Sequence, residues 1–413
     1  MKRIIYGGPV FTGLTEDLAE NCAILFRDDK IEAVGPLAQL VQMAPEAHGI
    51  DVKGRTILPG LVDAHRHIIS VTEHEVTPEL IVLGAIEGVR VAQEALSMGI
   101  TAVRDPGCKH NGIFRMKQAI DEGFIPGPTI YPTGPNPTGS AAPRSWRNYF
   151  IQGPWGMRQA VRELKRNGAQ WIKLVVSVDS RESGWHRTDW FLTPEEIKAG
   201  ADEAQALGLP VSGHVEGLAP AYAVVEAGFS AIEHGTVLDE KLADTMAKKG
   251  VFYVPTLLAY SASLEQWEKP LQPEESESFH AWVAEHKQSF QRALAAGVPI
   301  AVGTDMYRVP PLDCFVRELE LMIEGGMTPA AALRAATATG AAILGEEGKF
   351  GKLAPGMKAD LIAVDGNPLE DIRSLLKVDL VIKLGKEVIS RGLPMTISWD
   401  GLEERKEKGK SEV

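Results

Sequence analysis

At 413 residues, with 44% hydrophobic and 24% charged side chains, the chain has the composition of a folded globular protein large enough to exceed one simple domain. A net charge of −12 argues against nucleic acid or an anionic membrane surface as the main partner. Three widely spaced cysteines, Cys22, Cys108 and Cys314, without a C-x-x-C pair, argue against a disulfide framework and for a reducing compartment, so a cytoplasmic location is expected.

The opening Met1-Lys-Arg-Ile-Ile-Tyr-Gly-Gly-Pro9 has two basic residues but no apolar leader core, and reads as a first strand. No apolar stretch approaches the roughly 18 residues that a spanning helix needs. Residues 23–35 read as strand, Asp-rich turn and strand, a hairpin. Next comes Leu58-Pro-Gly-Leu-Val-Asp-Ala-His-Arg-His67, in which the mostly apolar run 57–62 predicts one short buried strand. Residues i and i+2 of a strand point the same way, so His65 and His67 at its carboxyl end converge on one point. Imidazole is the commonest biological metal ligand, and two of them make half a site.

From residue 58 to 355 short apolar strands alternate with stretches of helical period. Further strands are expected at 101–104, 129–131, 171–176, 210–214, 231–234, 251–254 and 299–303. Thr193, Pro194 and Glu196 form a capping-box start for a helix over 193–207. Gly99, Gly208, Gly228, Gly250 and Gly297 stand at helix exits just before the next strand. Eight strand–helix units predict an α/β protein built as a (β/α)8 TIM barrel, whose site lies at the carboxyl ends of the strands. Strand-like runs return at 359–365 and 380–389, separated by the turn Gly366-Asn367-Pro368. Residues 1–57 and 356–400 are therefore expected to pair as a small discontinuous β-sandwich domain, with 401–413 a charged tail.

The chemistry-bearing residues collect at the predicted strand ends. His65 and His67 leave the first strand, Lys173 sits within the fourth, His214 ends the fifth, His234 the sixth, and Asp305 follows the eighth. One strand-end histidine is ordinary; six compatible residues at one end of a barrel are a site. Lys173 is bracketed by Trp171-Ile172 and Leu174-Val175, and desolvation there favours its neutral amine, which can react with CO2 to give an anionic carbamate able to bridge two metal ions. The competing reading pairs Lys173 with Asp305 or another acid.

These motifs, with Ile172-Lys173, Gly213-His214, Glu233-His234-Gly235, Gly303-Thr304-Asp305, the Thr328–Thr339 stretch and Gly351–Leu361, closely resemble the amidohydrolase superfamily over nearly the whole chain. Within it the chain looks most like the imidazolonepropionase-like and prolidase-like branch, which includes Xaa-Pro and Xaa-Arg dipeptidases and amidases of N-acyl amino acids. The resemblance implies that His65, His67 and Asp305 bind one Zn2+, that His214 and His234 bind a second, and that carboxylated Lys173 bridges them, other divalent ions being possible. It implies attack by a metal-bridging hydroxide, with Asp305 as the catalytic proton carrier. The reaction implied is hydrolysis of an amide or peptide-like C–N bond. The small-molecule substrate would be an N-acyl amino acid or dipeptide-like compound, and the enzyme a homo-oligomer.

The chain departs from the branch where its dipeptidases hold substrate. The Thr-Gly-Gly-His motif after the third strand is replaced by Pro132-Thr-Gly-Pro-Asn-Pro-Thr-Gly139, and a fifth-strand His-Ala-Tyr by His214-Val215-Glu216. A long third loop, 136–155, carries Arg144, Trp146, Arg147, Tyr149, Phe150 and Trp155; the loop after the fourth strand carries Arg181, Trp185, His186, Arg187 and Trp190. Such side chains suit an apolar substrate with a carboxylate, or a lid packed on itself. His110, Tyr260 and Arg308 are further lining candidates, whereas His48, His280 and His286 read as ordinary surface residues. Alternatives are a lactone or cyclic amide hydrolase, a heterocycle deaminase, and a non-catalytic scaffold. Deaminases of the superfamily carry a Glu three residues after the fifth-strand His; here that place is Gly217, and Glu216, one residue early, is expected to point elsewhere. A scaffold should have lost ligands, and none is missing.

Overall fold

The structure, a computed structural model, describes residues 1–69, 77–108, 110–142, 148–179, 188–261, 273–306 and 313–390. Both ends of the described residues are strand-rich. Lys2–Tyr6, Ala23–Arg27, Lys30–Gly35 and His48–Asp51 form one sheet, including the expected hairpin, with Ile24 opposite Val34. Thr56–Pro59, Leu361–Val364, Val378–Lys383 and Lys386–Ser390 form a second, antiparallel sheet. Ile5, Ile24 and Phe26 from the first sheet share a buried core with Ile57, Leu361, Ala363 and Ile382 from the second. Apolar alternation on each strand supplies those two inner faces.

The single strand expected over 57–62 is instead two. Thr56–Pro59 pairs with Leu361–Val364, while Leu61–Asp63 joins a parallel sheet beside Ile100–Asp105. The break falls at Gly60, where a Cβ would lie 2.2 Å from Thr101 Oγ1, so only glycine lets the backbone pass from one sheet to the other.

In the middle of the chain, Leu61–Asp63, Ile100–Asp105 and Thr129–Pro132 form one parallel sheet, and Ile172–Val175, Val211–Val215, Ala231–His234 and Phe252–Val254 another. Backbone hydrogen bonds link the two at both edges. On one side Gln170 N–H donates to Pro132 O at 3.0 Å. On the other, Ala301 N–H donates to Tyr253 O at 3.0 Å and Ala64 N–H to Val302 O at 2.8 Å. The expected strand at 299–303 is bridged only at Ile300 but is held from both sides by these bonds.

Helices pack outside the strands, among them Pro194–Ala206, which begins with the expected reciprocal bonds between Thr193 and Glu196. The described parts of the two expected long loops are ordered. Asn136–Gly139 pairs with Asn148–Ile151, Gly153–Asn167 is a helix, and Ser177–Asp179 pairs with Thr188–Trp190. Trp155 is therefore helical and 80% exposed, and Tyr149 donates its hydroxyl to Glu163 at 2.7 Å. No helix among the described residues is long and apolar enough to cross a membrane.

Candidate metal centre

Alternate residues of a strand face the same side, and the inward positions here stack in layers. Val62, Ala102, Tyr131, Trp171, Ala231, Val254 and Ala301 form a buried apolar layer. Two residues further along three of those strands, Arg104, Lys173 and Glu233 are buried and ionisable. The candidate ligands stand above them, at the strand ends.

His65 and His67 lie just past Leu61–Asp63 rather than on it. Asp63 accepts from His65 N–H at 3.2 Å and from Thr304 N–H at 3.1 Å, tying the first and eighth strand ends together. Gly303 permits the approach, since a Cβ there would lie 2.6 Å from His65 Cβ. Asp305, with φ 49°, donates its N–H to His65 O at 2.7 Å. Its Oδ1 then lies 3.3 Å from His65 Nε2 and 3.2 Å from His67 Nε2.

His234 has φ 69°, and Gly235 N–H reaches back to Glu233 O at 2.9 Å, a tight three-residue turn of the rare left-handed kind. That turn breaks strand alternation: Glu233 and His234, adjacent in sequence, both reach His65. The His234 ring lies 5.1 Å from that of His65 and 4.3 Å from that of His214.

Outer partners settle which ring nitrogen is bare. His65 Nδ1 faces Glu233 Oε2 at 2.7 Å, and His67 Nδ1 faces Gly107 O at 2.8 Å. Carboxylate and carbonyl oxygens only accept, so both Nδ1 atoms carry the proton. Thr256 donates its hydroxyl to Pro255 O, leaving its oxygen to accept from His234 Nδ1 at 2.7 Å. Each Nε2 is thus left with a lone pair for the centre, the arrangement that orients metal-binding histidines. His65, His234 and Asp305 each offer a ligand atom within 4.8 Å of the others. Two donors on one tetrahedral ion with bonds near 2.1 Å stand about 3.4 Å apart, close to the spacing around Asp305 Oδ1. Lone pairs set against one another at that range call for a positive charge between them, so the residues present fit a divalent cation with N/O ligands.

Charges around the cluster follow suit. Burial pushes the Glu233 carboxyl up, but Arg104, Lys173 and His65 more than reverse this and hold it far below the usual range. Burial also works to raise Asp305, and His65 and His67 set against its carboxylate outweigh this and hold it well below its ordinary value, in the place a divalent cation would take. Burial and the neighbouring His214 hold His234 well below its ordinary value, in the neutral form a ligand needs.

Lys173 is buried in Ile172–Val175, opposite Ser212. His214, 23% exposed, points its Nε2 toward Glu216 Oε1 at 3.5 Å. Glu216 therefore does not point elsewhere: it is buried, and Tyr260 donates its hydroxyl to it at 2.6 Å. The Val211–Val215 strand ends before Glu216, so strand alternation no longer sets its direction. The Tyr260 ring lies 5.6 Å from that of His234, which brings this lining candidate to the cluster. His110 is half-buried ahead of the Gly112–Asp121 helix. Arg144, Trp146, Arg147, Arg181, Trp185, His186, Arg187 and Arg308 lie outside the described residues.

His286 is not a surface residue. The Pro273–Ala295 helix lays it against the end of the sixth strand, where its Nε2 donates to His234 O at 2.9 Å and burial lowers it to about 4. His48 and His280 are exposed, as expected. Sequence reasoning missed Arg104, Thr256 and His286, and gave Glu233 no role apart from its motif.

A family model described as the amidohydrolase family matches residues 56–388. An ochratoxinase of Aspergillus niger is 32% identical over 411 residues, covering 90% of this chain and 82% of the relative. An imidazolonepropionase of Geobacillus kaustophilus is 25% identical over 412 residues, covering 91% and 92%. Among solved structures, a Xaa-Pro dipeptidase with bound methionine in the active site superposes with a TM-score of 0.82 at 28% identity, covering 94% of this chain and 99% of that one. The A. niger ochratoxinase structure gives 0.83 at 29% identity, covering 95% and 96%.

Proposed function

The chain belongs to the amidohydrolase family and is a hydrolase of that superfamily, and from that premise we propose that it cleaves the C–N bond of an N-acyl amino acid or dipeptide-like substrate at a two-metal site. In this reading the two parallel sheets are one (β/α)8 barrel over 58–355, supported by the hydrogen bonds at both edges. Residues 1–57 and 356–400 are a β-sandwich, supported by their shared core. Three widely spaced cysteines without a C-x-x-C pair agree with a cytoplasmic setting, and assembly of identical subunits belongs to the same reading.

His65, His67 and Asp305 would hold one Zn2+, His214 and His234 a second, and Lys173, as its carbamate, both. When bound, the ions supply a hydroxide nucleophile near neutral pH and polarise the scissile carbonyl. Asp305 takes the proton of the attacking water and returns it to the leaving nitrogen. Glu233, Gly107 O and Thr256 keep the rings in register while it does so. His110, Tyr260, Arg144, Trp146, Trp185 and Arg308 would line the substrate, the arginines pairing with its carboxylate. The observation that carries the metal-dependent reading is the set of three histidines whose Nδ1 atoms are all committed outward. The amide preference is supported by resemblance to an ochratoxinase and to a Xaa-Pro dipeptidase.

One observation favours a second reading. Glu216 faces His214, and a carboxylate beside the fifth-strand histidine suits proton transfer in deamination. Product mass spectrometry with Zn2+-loaded protein separates the two, using N-acyl amino acids, dipeptides, lactones and amino-heterocycles. Paired acid and amine products support the amidase or peptidase. Ammonia released from a heterocycle without chain cleavage overturns it, and ring opening of a lactone alone moves the specificity to esters.

A further inference from the structure

We propose that Arg104 and Glu233 are a positioning pair that sets the tautomer and ring direction of His65, and thereby how tightly the chain holds the cation beside Asp305. This rests on the metal-dependent reading above. Arg104 rises from Ile100–Asp105 and is fully buried. Its Nε donates to Ala64 O at 2.6 Å, and its Nη2 donates to Glu233 Oε1 at 2.5 Å. The other carboxylate oxygen, Oε2, takes the Nδ1 proton of His65 at 2.7 Å. One guanidinium therefore holds both the peptide just before His65 and the carboxylate that holds the His65 ring.

The geometry explains the residue types. Only a guanidinium offers several donors at fixed angles, here serving two acceptors while its plane lies 4.6 Å over Trp171. Glu233 needs two oxygens because it has two partners. Glu233 faces inward by strand alternation from Ala231, and the left-handed turn at His234, with φ 69°, brings the next side chain inward beside it. A buried ion pair kept for stability alone gains nothing from a second oxygen spent on a ring nitrogen, and hydrophobic replacements often serve stability as well. Strands one, two and six thus converge on one ligand.

Glu233→Gln tests this in the full chain, because an amide must present N–H to either Arg104 or His65. Competition with a chelating dye should show Zn2+ affinity falling 10–100-fold for one of the two equivalents. The visible spectrum of the Co2+-loaded variant should change with it. Arg104→Lys should shift affinity in the same direction by less. Parental affinity for both equivalents with a parental Co2+ spectrum overturns the proposal. If the variants fail to fold, the parent decides: nitrogen-15 spectra of Zn2+-loaded, histidine-labelled protein should show His65 protonated on Nδ1. An Nε2–H tautomer at His65 overturns the proposal. A parent that takes up no divalent cation overturns the metal-dependent reading itself, and the proposal with it.

Discussion

His65 and His214 each stand beside the ring of His234 and are held to different standards. His65, His67 and His234 are each 1% exposed, and their outer nitrogens meet acceptors at 2.7, 2.8 and 2.7 Å. His214 is 23% exposed, and the carboxylate beside its Nε2 stands at 3.5 Å while taking a 2.6 Å bond from Tyr260. The first side loses little freedom on binding a cation, because its rings are already set. The second ring still has an adjustment to make. On the proposed reading, holding the metal would fall to the first wall and admitting a ligand to the second.

The largest test of that division is Asp305, which on the proposed reading would serve the fixed side as ligand and the open side as proton carrier. Asp305→Asn should leave thermal unfolding close to parental and lower kcat by roughly 10³-fold or more. Near-parental turnover would remove Asp305 from the chemistry. Next, Lys173→Ala should lower bound metal, measured by elemental analysis, and be partly restored by short carboxylic acids; unchanged metal content would rule out a carbamate bridge.

Third, Thr256→Val removes the acceptor of a tightly held ring and should weaken Zn2+ binding by about 10-fold or more. Glu216→Gln, acting on the loose ring, should change it only a few-fold. Equal losses by chelator titration would erase the distinction between the walls.

The smallest effect on activity, though not on stability, belongs beneath the open side. Glu318 accepts from Leu257 N–H at 2.9 Å and Leu258 N–H at 2.6 Å, supporting the segment between Thr256 and Tyr260. Burial raises its carboxyl from 4.5 to about 8, against the pull of those two amides. The folded chain therefore keeps a proton that the unfolded chain has released between these pH values, so stability falls as pH rises through that window. At about 1.4 kcal/mol per tenfold change in proton affinity, the loss approaches about 5 kcal/mol. Glu318→Gln should flatten this dependence in denaturant unfolding at pH 5 and pH 8, and an unaltered slope would show that Glu318 is already ionised.

Much of this was legible in the chain. The Thr193–Glu196 cap, the hairpin over 23–35 and the gathering of His65, His234 and Asp305 follow from patterns within a few residues, where period and side-chain type suffice. The exceptions are instructive. The run 57–62 has no polar residue to mark its division between two sheets; Pro59-Gly60 is its one local sign of a break, and the crowding of Gly60 against Thr101 shows where the chain crosses. His286 carries no local sign of burial, because the strand it packs against ends 52 positions earlier.

What the sequence by itself determined is the inventory: four histidines, a lysine and an aspartate delivered to one end of a set of parallel strands. What only the tertiary structure decided is their protonation and aim. The proton on His65 is assigned by Glu233, 168 positions away, and Glu233 is oriented by Arg104, 129 positions away. A left-handed turn at His234 then places two neighbouring side chains where an extended strand would have set them apart. Ligand type is a property of one residue, but a bare lone pair pointed at a shared centre depends on hydrogen bonds between distant segments, and these exist only once the strands have assembled.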